Sequence, residues 1–134
     1  MIVVDTNILV GLWLPSDSTE ICEQLYQKDS EWLAPILWQS EFRNVLALYL
    51  RKEMLNLTDA LMIMEEVEQQ MKQNQFYVNS LQVLQCVNQS ICSAYDCEFV
   101  SLAKDLNLKL FTMDKQLLKE FPEIARHPLS IAES

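Results

Sequence analysis

The sequence predicts an α/β domain, a three-layer α/β/α sandwich in which helices cover both faces of a central parallel sheet. Three observations lead there. The short apolar runs Met1–Val4, Trp32–Ala34, Phe76–Val78 and Leu108–Met113 are too brief for helices and suit buried strands. Segments of helical periodicity separate them, many ten residues or longer, which is the spacing of βαβ units. The chain has 134 residues, half of them apolar, enough for one sizeable core and too few for a second, so residues 1–134 are read as a single domain.

The elements follow in order. After the first strand, a helix is expected from Thr6 to about Leu14, stopped by Pro15. Ser16-Asp17-Ser18-Thr19 offers N-caps for a helix carrying Ile21, Cys22, Leu25 and Tyr26. Pro35 closes the second strand, and a long helix runs from Ile36 to Lys52, its basic end Arg51-Lys52 suiting a helix C-terminus. Thr58-Asp59 is expected to cap the next helix, acidic at Glu65, Glu66 and Glu68. The alternation then repeats: a strand at Phe76–Val78, a helix around Leu81–Val87, a helix opened by Ser93 and running through Asn107, a strand at Leu108–Met113, and a short helix Lys115–Phe121.

Charge and composition exclude several classes. Nineteen acids oppose ten bases for a net charge of −9, which argues against a simple basic patch that grips nucleic acid by its phosphates. Residues 1–70 hold 12 acids and 4 bases (12 − 4, net −8), and residues 71–134 hold 7 and 6 (net −1), so the acidity belongs to the first half. No apolar run approaches the length of a membrane span, and the apolar start, broken by Asp5 and Asn7 without a basic lead, does not suit a secretory signal. Cys22, Cys86, Cys92 and Cys97 form no C-x-x-C pair and read as reduced core thiols of a cytoplasmic protein. His127 is the one histidine, so a zinc site is not expected. Gly11 is the one glycine, which excludes glycine-rich phosphate loops.

Four carboxylates stand out. Asp5 directly follows the first strand and Asp114 follows Leu110-Phe111-Thr112-Met113, and ligands of open parallel sheets bind beyond the carboxyl ends of strands. Each alone could be a helix cap. Glu41 lies in the row Leu37, Glu41, Val45, Leu48, otherwise apolar, so it is expected at the rim of a buried stripe or facing a compensating group. Arg43, two positions on, projects elsewhere. Asp96 completes a capping box with Ser93, yet it is also in line with the inward residues Phe99, Val100 and Ala103, while Glu98 is expected to point away. Four such acids cannot share a small volume as bare anions, and oxygen donors alone suit Mg²⁺ or Mn²⁺, hard ions that pair with phosphate substrates. From the residues alone, a metal-dependent phosphodiesterase is the expectation.

These positions and their flanks resemble the PIN-domain ribonucleases, in particular the short VapC-type toxins of bacterial toxin–antitoxin pairs. The matching pieces are Val4-Asp5-Thr6-Asn7-Ile8-Leu9, Ser40-Glu41-Phe42-Arg43-Asn44-Val45-Leu46, the stretch Ser93-Ala94-Tyr95-Asp96 through Ala103, and Leu110-Phe111-Thr112-Met113-Asp114 through Leu118, in family order across nearly the whole chain. The resemblance implies a PIN-like fold and an endoribonuclease that uses Mg²⁺ or Mn²⁺. Asp5, Glu41, Asp96 and Asp114 would be its metal-binding catalytic acids, with Thr6, Asn7, Ser93 and Thr112 orienting acids, metal or water. It further implies RNA cleavage by metal-activated water, a homodimer, and silencing by an antitoxin whose basic tail lies along the acidic groove. Leu12, Trp13, Leu14, Trp38, Leu48 and Tyr49 are candidate contact residues for these partners. Two rivals remain. A haloacid-dehalogenase-like phosphatase also begins with a strand ending in Asp, but wants a second Asp where this chain has Asn7. A non-catalytic binding module would use the same acids only to receive a basic partner tail. The acidic helix near Glu65–Glu68 could repel RNA from the back face, although a solvated face is the default.

Overall fold

The computed structural model describes residues 1–133. Five parallel strands form the centre in the order β3-β2-β1-β4-β5: β1 (Ile2–Val4), β2 (Trp32–Pro35), β3 (Gln75–Phe76), β4 (Leu110–Phe111) and β5 (Ala125–Arg126). Seven α-helices flank them: α1 (Thr6–Trp13), α2 (Thr19–Lys28), α3 (Trp38–Arg51), α4 (Leu57–Met71), α5 (Ser80–Asn88), α6 (Ala94–Leu106) and α7 (Lys115–Glu120). A 3₁₀ helix at Pro128–Glu133 follows β5. α6 lies against β1, β2 and β4 with α5 on its outer side, while α1 packs on α2, α3 and α4. The expected α/β/α sandwich with a parallel sheet is what the chain forms.

The central strands are buried on both sides, which is why β1 and β2 read as unbroken apolar runs rather than alternating ones. Trp32, Val3, Val4, Leu110 and Phe99 are among the fully enclosed core side chains. The chain winds outward from β1 through β2 to β3, then crosses back to place β4 on β1's other side, with Val3 opposite Leu110 and Val4 opposite Phe111. The order therefore reverses between β1 and β4, and a crevice opens beyond their carboxyl ends at such a reversal.

Most boundaries agree with the sequence, and the departures have local causes. α3 begins at Trp38, two residues later than expected, because the Ile36 amide still donates to Phe76 O at 2.9 Å in the manner of a strand. Asn56, not Thr58-Asp59, caps α4: its side chain accepts from the Asp59 amide at 2.8 Å. The third strand occupies Gln75–Phe76 rather than Phe76–Val78, since pairing with β2 ends at Pro35 opposite Phe76. The fourth is only Leu110–Phe111, because the Leu108 amide turns back to Ala103 O and closes α6 through Asn107 at φ 55°. β5 went unread in the sequence, where a two-residue edge strand leaves no periodicity to detect.

Gly11 sits where α1 and α2 meet. A Cβ there would come within 2.5 Å of Cys22 Sγ, so the close approach of these helices requires glycine. The four cysteines are buried and free. No helix among the described residues is long and apolar enough to cross a membrane.

Candidate active site

Asp5 follows β1 directly and is 7% exposed. It caps α1, as the bland reading of a strand-to-helix Asp requires, accepting from the Thr6 amide at 2.8 Å. Its other oxygen does something a cap does not need: it accepts from the Thr112 hydroxyl at 2.7 Å, across to the segment after β4. Asn7 Nδ2 approaches the same oxygen at 3.4 Å, and Asn7 Oδ1 accepts from the Met113 amide at 3.3 Å. The Asp114 amide in turn donates to Thr112 Oγ1 at 3.0 Å, and Asp114 Oδ1 caps α7 from the Gln116 amide at 2.8 Å. Thr112 and Asn7 thus stitch the ends of β1 and β4 together at the reversal of strand order.

Glu41 reaches the same place from α3. Its carboxylate accepts from the Thr6 hydroxyl at 2.7 Å, so Thr6 joins two acids at once, Asp5 through its amide and Glu41 through its hydroxyl. The enclosed face of α3 is Trp38, Phe42 and Leu46; the row Leu37, Glu41, Val45 lies half-buried beside it and Leu48 is exposed. Glu41 is therefore at the rim of the buried face, and its compensating group is a hydroxyl rather than a cation. Arg43 is exposed and donates to Gln39 at 3.1 Å, away from the site.

Asp96 is half-buried in the first turn of α6, held there by Ser93, whose hydroxyl oxygen accepts from its amide at 3.1 Å. This is the Ser93 half of a capping box; the return bond from Asp96 to the Ser93 amide does not form among the described hydrogen bonds, and the Asp96 carboxylate instead takes a hydrogen bond from the Ser93 side chain, which favours its anion. It is the electrostatic centre of the group: its charge raises the pKa of both Asp5 and Glu41, and the charge of Asp114 raises its own.

Burial is the largest influence throughout. It pushes Asp5 from its ordinary 3.8 up to about 7, against the Thr112 hydrogen bond that favours the anion, with Glu41 adding to the rise. Burial also raises Glu41 despite the Thr6 hydrogen bond, and raises Asp96, where Asp114 adds to it. Glu98 is the residue the sequence reading misplaced. It was expected to point away, yet it is half-buried and its charge acts on Glu41. Its effect reaches Glu41 and neither Asp5 nor Asp96, so it borders the group from the α3 side.

No Lys or Arg answers these charges. The one ion pair among the described residues joins the Met1 amino group to Asp29 at 2.8 Å, elsewhere on the molecule. Nor is any group of three or more His, Cys, Asp or Glu side chains among the described residues arranged to hold a metal ion as it stands. Four carboxylates near enough for their charges to act on one another, with only hydroxyl and amide partners, are an oxygen-only donor set with uncompensated charge, a chemistry that suits a hard divalent cation. A cavity of about 550 Å³ adjoins them, sharing Thr6, Asn7 and Glu41 with the acids.

The contact residues proposed from sequence divide. Leu14 and Trp38 are enclosed in the core, so they are unavailable to a partner; Leu12, Trp13 and Tyr49 are half-buried and Leu48 is exposed. His127 accepts from the Leu129 amide through Nδ1 at 3.1 Å at the start of the 3₁₀ helix, far from any ligand role.

Three comparisons bear on the chain. The family model described as the PIN domain matches residues 2–124. Ribonuclease VapC3 of Pyrobaculum aerophilum is 25% identical over 126 residues, covering 92% of this chain and 96% of that protein. Among solved structures, FitAB bound to an IR36 DNA fragment superposes with a TM-score of 0.72 at 16% identity, over 96% of this chain and 95% of that one. FitAcB from Neisseria gonorrhoeae gives 0.70 at 16% identity, over 96% and 99%.

Proposed function

The chain belongs to the PIN-domain family, and from that premise we propose that it is a Mg²⁺- or Mn²⁺-dependent endoribonuclease, the VapC-type toxin of a toxin–antitoxin pair. One observation carries the reading: four carboxylates from four separate segments gather at the strand-order reversal with no basic residue to neutralise them. The similarity to a protein named Ribonuclease VapC3 supports the choice of RNA.

Asp5, Glu41, Asp96 and Asp114 would hold the ion. When bound, a divalent cation supplies positive charge to the scissile phosphate and lowers the pKa of a water. The chain's own groups do the rest. Thr6 fixes the separation of Asp5 and Glu41 by bonding both. Thr112 and Asn7 lock the Asp5 carboxylate in one orientation and tie it to the Asp114 segment. Ser93 sets the first turn of α6 and with it the direction of Asp96. Burial keeps Asp5 ready to hold a proton near neutrality until positive charge arrives.

The molecule's net charge of −9 makes a basic tail from an antitoxin a complementary inhibitor. Exposed apolar residues on α4 and the turn before it, Met54, Leu57, Leu61 and Met62, offer area for that partner or for a second copy. The test is cleavage of structured RNA by the purified chain with Mn²⁺ or Mg²⁺. Turnover should stop with EDTA and be lost in Asp96→Asn. A chain that leaves varied RNAs intact with either metal, yet binds a basic peptide, is a binding module instead.

A further inference from the structure

The cavity beside the acids is larger than the ions and water that the carboxylates require. Its floor is apolar, from Val10 on α1, Leu37 just before α3 and Val45 on α3. Its rim carries groups with nothing to bond: the Asn44 amide and the Ser40 hydroxyl are exposed and make no side-chain hydrogen bond among those described. Tyr95, the residue before Asp96, brings an aromatic ring to the same cavity while remaining 64% exposed, an unusual expenditure of a large side chain that buries little on folding.

We propose that this cavity seats one unstacked nucleobase of a single-stranded RNA, next to the phosphate at the carboxylates, with Tyr95 as its stacking residue. The proposal rests on the nuclease reading above and adds how the substrate is held. Three features favour a base over other occupants. The cavity shares Thr6, Asn7 and Glu41 with the acids, so whatever fills it lies within a nucleotide's reach of the reacting phosphate. An apolar floor with amide and hydroxyl groups at its edge matches a flat π-face bounded by hydrogen-bonding edges, whereas an apolar side chain of a protein would leave those edge groups unanswered. Finally, a chain of net charge −9 gains little affinity from displacing counterions, so beyond the one phosphate at the acids its grip on RNA comes from the bases.

The probe is a single-stranded RNA decamer with one central 2-aminopurine, titrated with the full chain in Ca²⁺ at 50 and 200 mM salt. Stacking should quench the fluorophore, and affinity should fall less than tenfold between the two salts, far short of the loss a phosphate-gripping protein suffers. Tyr95→Ala should weaken binding about 5- to 100-fold and abolish the quenching, while Tyr95→Phe keeps both within about twofold. Because Tyr95 is mostly exposed, both variants should melt with the wild type. In cleavage assays Tyr95→Ala should raise KM and leave kcat within a factor of about three. Wild-type quenching, affinity and KM in Tyr95→Ala overturn the proposal and give the cavity to a protein partner. Quenching without cleavage by the wild type with Mn²⁺ or Mg²⁺ refutes the nuclease reading and leaves the base seat standing. Cleavage without quenching does the reverse.

Discussion

Stability without divalent metal should fall as pH rises from 4 to 8, and Asp5 should be the largest single cause. Its carboxyl titrates near 3.8 in the unfolded chain and at about 7 in the fold. Between those values the unfolded state has released a proton that the native state still holds, so raising pH favours unfolding. The interval corresponds to about 4 kcal/mol at about 1.4 kcal/mol per pH unit, fully present as stability below pH 4 and lost once pH passes 7. Glu41 and Asp96 are shifted the same way and steepen the decline. Asp5→Asn removes the largest contribution and can still cap α1 through Oδ1, but the NH2 group in place of Oδ2 cannot accept from the Thr112 hydroxyl, which returns about 1–2 kcal/mol. The variant should therefore be more stable than wild type at pH 8 by about 2 kcal/mol, or roughly 8 °C in Tm, and less stable at pH 4. Thermal melts in EDTA from pH 4 to 8 measure this directly. A wild type that gains stability toward pH 8, or an Asp5→Asn variant whose melting curve tracks it at every pH, would refute the account of crowded, buried carboxylates.

Three further expectations test the scaffold. Thr112→Val removes the donor to Asp5 and the acceptor for the Asp114 amide, and should cost about 1–3 kcal/mol in denaturant unfolding and reduce RNA cleavage while leaving far-UV dichroism intact. Gly11→Ala drives a methyl against Cys22 and should lose about 1–2 kcal/mol despite alanine's better helix propensity; adding Cys22→Ala removes the sulfur in its way and should recover part of the loss, a non-additivity readable in a double-mutant cycle. Asn56→Ala should cost about 1 kcal/mol and Thr58→Ala well under half of that by thermal melting, since Asn56 makes the cap bond of α4.

The acids were legible in the sequence because each left a local anomaly. Asp5 and Asp114 interrupt apolar strands at their carboxyl ends, Glu41 intrudes on an apolar row, and Asp96 falls in line with inward residues. Their convergence was not legible from spacing alone. It depends on β4 returning to β1 rather than adding outside β3, a choice made by tertiary packing. Thr112 and Asn7 could be named as polar neighbours, but not which oxygen each would bond. Besides β5, three features are not legible in the sequence. The helical angle puts Glu98 away from Asp96, but its nearness to Glu41 depends on how α3 packs beside α6, which spacing within one helix does not display. The cavity at Tyr95 is formed by α1, α3 and the first turn of α6, which no single stretch of sequence can display. The α4 cap was sought at Thr58-Asp59 because both are good capping residues, and Asn56, two positions earlier, took the role.

The pairing of β1 with β4 also has a temporal side. Thr112 and Asp114 leave the ribosome more than a hundred residues after Asp5, which at about 5–20 residues per second means roughly 5–20 s of synthesis. Through that interval one edge of β1 has no neighbour and Asp5 lacks the hydroxyl that orients it. The carboxylate cluster cannot assemble on a nascent chain that has stopped short of β4. A product terminated between Asp96 and β4 would carry three of the four acids and the Thr6 link between Asp5 and Glu41, but not the Thr112 clasp. The arrangement of acids described above therefore belongs to the molecule only once β4 has joined the sheet.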